Sequence, residues 1–331
     1  MNFCTLFDSN YIHKGIAMYL SLRRTGCDGT LYIMAMDEKC RRMLSSYGLD
    51  GVVVDCIEDI RDEDLDKARA NRSRAEFCWT CGSYVTDWFI KRYSLDEIAY
   101  LDSDLMFFHS PSVIQTELES KRASVGITPH FSKDETFGKY CVQYVYFKND
   151  EPGSAVLSWW RNECLKWCYS KLEDGRYGDQ KYLERFSTIA NGVCEIDNRG
   201  CGIAYWNMYD YSFLKGNRIM FGGKEYPVVF FHYSGVNVSC ENHVLMLKHT
   251  FYMTEEVRKM FVEPYAGLLS EVYSRYLATD ISRIDIRPVS RWKNSIKHFL
   301  YIVRNSVVLS SVRKTYLGIK YKQRKSPYSE R

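Results

Sequence analysis

The chain has 331 residues, 46% of them apolar and 26% charged, which fits a globular protein with a full core and excludes a disordered or fibrous one. Its twelve cysteines are too dispersed for a small disulfide scaffold, Met1-Asn2-Phe3-Cys4 opens no signal-like segment, and no apolar run reaches the ~18 residues of a membrane span, so a cytoplasmic protein with reduced thiols is expected. The net charge of +4 is uneven: Arg287 to Arg331 carries twelve Lys/Arg against the single acid Glu330, a surplus of +11 that leaves −7 for the rest.

In chain order, Met1 to Phe7 reads as a strand, Asp8-Ser9-Asn10 as a turn, and Tyr11 to Arg24 as a helix from the spacing of Ile12, Ile16, Tyr19 and Leu20. Leu31 to Met36, Glu38 to Tyr47 and Gly51 to Asp55 continue as strand, helix and strand, the alternation that builds a parallel sheet from βα units. An acidic loop is expected over Glu58 to Asp66, then a long helix from Ala75 to Tyr93. A strand at Ile98 to Leu101 reaches Asp102-Ser103-Asp104 and continues into Leu105-Met106-Phe107-Phe108. Later strands fall at Val125 to Thr128 and Val142 to Phe147, a helix at Pro152 to Leu172, and a hairpin at Ile219 to Phe231 around Gly222-Gly223.

Four features carry chemistry. Asp102 and Asp104 sit in an apolar run, where carboxylates are costly without a counter-charge. Strand periodicity aims both to one side, and a strand end is where open α/β sheets bind ligands, so the pair suits Mg²⁺ or Mn²⁺ holding a diphosphate. A solvated turn or an arginine salt bridge is the alternative. His232, ending the apolar Phe230-Phe231, is able to complete a metal shell or to be an ordinary satisfied histidine. Asp179-Gln180, after Gly178, opens a short helix, as sugar-hydroxyl acceptors or as a plain N-cap. Arg69, Arg72 and Arg74 precede the long helix, as phosphate ligands or as a surface patch. Cys78-Trp79-Thr80-Cys81 and the pair Cys164/Cys168 fall in helices among bulky residues, where cysteine acts as a small hydrophobe rather than as a zinc or redox ligand. No GxxxxGK[ST], GxGxxG or GxSxG motif is present.

Taken together, Thr5-Leu6-Phe7-Asp8-Ser9-Asn10-Tyr11, Arg74-Ala75-Glu76-Phe77 with Trp79, Tyr100-Leu101-Asp102-Ser103-Asp104, Gly178-Asp179-Gln180 and Phe231-His232-Tyr233 with Gly235 occur in an order that resembles family-eight-like GT-A glycosyltransferases, the retaining nucleotide-sugar enzymes that build bacterial surface glycans. The resemblance spans about Met1 to Val238. It implies a GT-A α/β fold with a central, mostly parallel sheet; with the charge surplus of the C-terminal end, the expected division is a catalytic domain over 1–275 and a basic amphipathic tail over 276–331. It further implies Mn²⁺ or Mg²⁺ on Asp102, Asp104 and His232, and a uridine held by Asp8 and Tyr11 with Thr5 near. Arg74, Ser103 and Gly235 then belong to the donor site, and Asp179 and Gln180 contact the transferring sugar. The partners implied are a UDP-sugar donor and a glycan or lipid-linked acceptor. Two departures stand out: Cys141-Val142-Gln143-Tyr144 replaces the Asn-Ala-Gly of relatives, and Asn237-Val238-Ser239 replaces the Lys-Pro-Trp that follows the histidine. A phosphohydrolase built on the two aspartates and a non-catalytic nucleotide-sugar binder are the competing classes.

In the tail, Trp292, Ile296, Phe299, Leu300, Val303 and Val307 form one helical stripe flanked by Lys293, Lys297 and Arg304. That pattern suits a helix lying on an anionic membrane surface, placing the protein peripherally on the inner face, or else a helix packed on the body. Groove-reading of nucleic acid does not fit an apolar stripe on an acidic body.

Overall fold

The computed structural model describes residues 1–288; the apolar stripe from Trp292 onward lies outside them. They form two compact units, one of Met1–Ser234 with Met260–Asp280, the other of Gly235–Lys259 with residues 281–288.

The first unit is built on a seven-stranded sheet of order β3-β2-β1-β4-β7-β6-β8. The N-terminal βα repeat supplies β1 (Asn2–Phe7), α1 (Ile12–Arg24), β2 (Leu31–Ala35), α2 (Glu38–Ser46) and β3 (Val52–Cys56). In place of the expected acidic loop come a short 3₁₀ turn, Ile57–Asp59, and α3 (Glu63–Asn71). The acids there serve the helix: Asp62 caps its first N–H groups, and Glu63, Asp64 and Asp66 favour its positive end. After α4 (Arg74–Tyr93) and β4 (Glu97–Leu101) come β5 (Leu105–Phe107), α5 (Ser112–Ser120), β6 (Val125–Pro129), β7 (Tyr140–Lys148), α6 (Glu151–Lys166), a 3₁₀ stretch Gln180–Arg185, α7 (Phe186–Ile189) and β8 (Val193–Glu195). β1 to β4 are parallel and β7 runs antiparallel to β4 and β6.

Helix α4 is fixed at both ends. Ser73 and Glu76 form a reciprocal capping box, and Ser94 closes the helix in a left-handed conformation. Its buried face, with Phe77, Cys81, Val85 and Phe89, joins Leu6, Ile98, Phe147 and Trp160 in one core, where each large side chain contributes about 1.5–3 kcal/mol. Gly15 of α1 lies against the Phe7 ring so closely that a Cβ there would collide with it, which holds α1 tight on the end of β1.

The strand expected to run through Asp102-Ser103-Asp104 is broken there. β4 stays in the large sheet, while β5 pairs with β13 (Phe230–His232), which also pairs with β9 (Ile203–Ala204) in a separate three-stranded sheet. The expected hairpin also divides: β10 (Ser212–Leu214), β11 (Arg218–Phe221) and β12 (Lys224–Pro227) form their own sheet, and Val228-Val229 carry the chain on to β13. In the second unit β14 (Val236–Glu241), β15 (Val244–His249) and β16 (Arg283–Pro288) make a small sheet. A helical segment with α8 (Glu255–Val257) follows β15, and α9 (Glu263–Tyr276) belongs to the first unit. No helix among the described residues is long and apolar enough to cross a membrane.

Candidate active site

Strands β1 and β4 are parallel neighbours, and the chain goes from β1 outward to β2 and β3 before returning to β4 on the other side. The crevice beyond their carboxyl ends is thus a topological switch point, the usual ligand position in such sheets. Asp8 follows β1 and Asp102 follows β4, so both face that edge.

The pairing of β13 with β5 sets His232 opposite Leu105, directly after the Asp102–Asp104 turn. The Tyr233 N–H donates to the Asp104 carbonyl at 2.9 Å, tying turn and strand together. His232 Nε2 then lies 3.0 Å from Asp104 Oδ1 and 3.6 Å from Asp102 Oδ2. Both aspartates therefore reach His232 from a turn clamped by a second sheet, rather than along the strand pleat. His232 Nδ1 donates to Gln143 Oε1 at 2.9 Å, which leaves Nε2 for the carboxylates. Cys141 Sγ is 4.0 Å from the same Nδ1, and the Trp206 ring stands edge-on to the imidazole at 5.4 Å.

Charge in this corner is unbalanced. Burial pushes the Asp102 carboxyl up to about 7, against the pull of His232. Burial, with Asp102 close by, raises Asp179 well above the usual carboxylate range. Asp104 goes the other way: burial would raise it, but His232 and Lys14 hold it below its ordinary value. Asp104 in turn raises His232 well above an ordinary histidine in spite of burial. Cys141, also buried, is drawn down to about 6 by His130 and His232. Lys14, from the first turn of α1, is 4% exposed and its Nζ lies 3.5 Å from Asp104 Oδ2.

The other half of the crevice is balanced. Asp8 Oδ1 accepts from the N–H groups of Asn10 and Tyr11 at 2.8 and 3.0 Å, and Oδ2 from Arg74 Nε. Arg74 Nη2 also donates to Asp37 Oδ2 at 3.0 Å, which accepts from Ser9 N and Oγ. Tyr11 is 46% exposed, an open ring beside this network. Thr5 is buried in β1 with its hydroxyl unpartnered.

Of the arginines expected to bind phosphate, Arg74 alone reaches this crevice network. Arg72 donates to Thr80 Oγ1 and the Leu165 carbonyl, and Arg69 packs over Phe77. Asp179 is buried at the N-cap position of the 3₁₀ stretch, its carbonyl accepts from Trp160 Nε1 at 3.0 Å, and its side chain makes no capping hydrogen bond to the helix. Gln180 is turned to the Phe137 carbonyl at 2.8 Å. Ser103 lies half-buried in the turn between the aspartates. Gly235 opens the second unit, its carbonyl accepting from Thr250.

Sequence reading passed over Lys14 and Gln143. A lysine three residues after Tyr11 on the first helix, and a glutamine inside the apolar Val142–Phe147 run, were the available signals. All twelve cysteines are free. Among the described residues the His/Cys/Asp/Glu groups close enough to hold a metal are Asp102/Cys141/His232 and Glu38/Cys56/Glu58, so Cys141 stands in the first group where Asp104 was expected, and Cys78/Cys81 and Cys164/Cys168 form no such site.

This architecture is the GT-A glycosyltransferase fold. Galactosyltransferase LgtC, in complex with donor and acceptor sugar analogs, is similar over 83% of this chain and 100% of its own, with a TM-score of 0.53 at 12% identity. A structure of an active-site mutant of LgtC has the same coverage and TM-score at 14% identity. In sequence the chain is 26% identical to the uncharacterized protein YfnF of Bacillus subtilis (strain 168), over 75% of this chain and 86% of YfnF. It is 27% identical to YfnD of the same organism, over 80% of this chain and 87% of YfnD. No protein-family model matches the sequence.

Proposed function

We propose that the protein is a divalent-metal-dependent glycosyltransferase that moves a sugar from a UDP-sugar to a glycan or lipid-linked acceptor with retention, as in the family-eight-like enzymes of bacterial surface-glycan synthesis. The observation that carries this reading is the meeting of Asp102, Asp104 and His232 at the switch point of a GT-A fold. The residues fit a metal: burial holds Asp102 and Asp179 toward their protonated forms, a cost that a cation would relieve, and two carboxylates with an imidazole nitrogen suit Mn²⁺ or Mg²⁺. Asp102, Asp104 and His232 would hold the ion, which when bound supplies Lewis-acid neutralisation of a leaving diphosphate. Gln143 keeps the His232 tautomer that presents Nε2 to the site. Asp8, Tyr11 and Thr5 bind the nucleoside, Arg74 orders their loop, Ser103 lines the donor site, and Asp179 with Gln180 orients the transferring sugar.

Calorimetry with UDP in Mn²⁺ tests the reading. The native protein binds UDP only with the ion, and Asp104→Ala abolishes that binding while the fold persists. Unchanged UDP affinity in the variant overturns the site. UDP-sugar turnover measured with and without acceptor separates transfer from simple phosphohydrolysis and from binding alone.

The basic tail is proposed to bring the enzyme to the inner face of a membrane, each cation near an anionic surface contributing about 1 kcal/mol. Co-sedimentation with anionic vesicles at low salt is expected for the full chain and lost on truncation after Pro288. Equal binding by both chains overturns it.

A further inference from the structure

We propose that Lys14 is a built-in counter-cation that shares Asp104 with the metal and, once the metal is bound, binds the diphosphate of the donor. The proposal rests on the reading of this crevice as a metal–nucleotide site.

Four observations support it. Lys14 is 4% exposed, an unusual state for an ammonium, which is costly to bury without a reason. Its Nζ meets Oδ2 of Asp104 at 3.5 Å while His232 meets Oδ1 of the same carboxylate, so Asp104 lies between two cationic groups. The Lys14 ammonium also stands 4.8 Å from the centre of the Tyr11 ring, between the aspartate turn and the proposed nucleoside residue. Finally, Arg74, the arginine of the same crevice network, is already engaged by Asp8 and Asp37.

Charge balance then gives the two-step role. A divalent ion on Asp102, Asp104 and His232 satisfies Asp104 more strongly than the single charge of the lysine, 3.5 Å away, does. The Lys14–Asp104 ion pair is thereby weakened, next to an ion that attracts anions. The flexible four-carbon stem of Lys14 allows the ammonium to turn to a phosphate oxygen. The diphosphate therefore gains a point charge from α1 at the end of β1. In the metal-free protein the same ammonium opposes metal entry by competing for Asp104.

This dual role makes the sign of the test unusual. Lys14→Met keeps length and apolar volume and removes the charge, while Lys14→Arg keeps the charge. Manganese affinity without nucleotide is read by electron paramagnetic resonance of the unbound ion on the full chain. UDP and uridine affinities are read by calorimetry at saturating Mn²⁺. The expectation for Lys14→Met is Mn²⁺ affinity equal to or tighter than native, UDP affinity roughly tenfold or more weaker, the scale of one charge-assisted hydrogen bond, and unchanged uridine affinity. Lys14→Arg recovers most of the UDP affinity. Weaker Mn²⁺ binding by Lys14→Met means that the lysine supports the site structurally, and unchanged UDP affinity means that it does not touch the diphosphate; either overturns the proposal. If the native protein binds neither Mn²⁺ nor UDP, the reading of the crevice fails and this proposal with it, whereas native binding with an insensitive Lys14 variant removes this proposal alone.

Discussion

The two ends of the crevice hold similar numbers of acids and differ in how they are matched. Around Asp8 and Asp37 the acids meet backbone N–H groups, Ser9 or the shared Arg74. Burial would raise Asp37, but hydrogen bonds from Ser9 and Cys40 and the charge of Arg74 hold it below its ordinary value. Around Asp102, Asp104 and Asp179, the cations His232 and Lys14 both converge on Asp104. Asp102 and Asp179 are left raised. The matched end is finished as a protein structure and shapes a loop. The unmatched end keeps buried carboxylates that the fold does not neutralise, which is the pattern expected of a ligand site.

The largest expected effect sharpens that contrast at Asp179. Its carboxyl is buried and raised, so the metal-free fold already tolerates the neutral form, and Asp179→Asn should leave melting temperature and UDP affinity near native. Transfer should nonetheless fall roughly 100-fold or more, the scale for losing a preorganised charge at a reacting centre. Steady-state rates with calorimetry on the same variant check this. A collapse of UDP affinity would move Asp179 from the sugar side to the nucleotide side or to the fold.

What could be read from sequence follows the same division. The βα repeat, the long helix and the aspartate pair were legible because each is a local pattern: periodic apolar residues, turn residues, acids in an apolar run. The α3 helix was hidden because its acidic first turn looks like a solvated loop until the Asp62 cap is seen. The break after Leu101 was hidden for a different reason. Leu105-Met106-Phe107 has the character of a continuing strand, and only the distant partners Phe230-Phe231-His232 draw it into another sheet. The roles of Lys14 and Gln143 likewise come from contacts across 90 and 89 residues, which no local pattern encodes.

A smaller effect separates the two ends by pH. Asp102 sits at about 7 in the folded, metal-free protein against an ordinary 3.8, so the folded state binds that proton more tightly than the unfolded chain does. Its contribution to stability is complete below 3.8 and is lost as pH rises through about 7. His232, raised above 6.5, contributes in the same direction and is lost at still higher pH. Asp37 has the opposite sign: it is lowered, so its contribution is present at neutral pH and disappears only as acid protonates it. Between pH 6 and 8 the contribution of Asp37 is therefore constant while that of Asp102 weakens, and a bound metal ion, which needs Asp102 and His232 deprotonated, would reverse that loss. Metal affinity should rise up to about tenfold for each proton released per pH unit, or about 1.4 kcal/mol. That corresponds to roughly 2–4 °C in melting temperature for a domain of a few hundred residues with the ion in excess. The measurement is the difference in melting temperature between Mn²⁺ and EDTA at pH 6, 7 and 8 and constant ionic strength. A difference that grows with pH in the native protein and is absent in Asp104→Ala assigns metal binding to this corner; a flat one removes the metal from the account of these buried carboxylates.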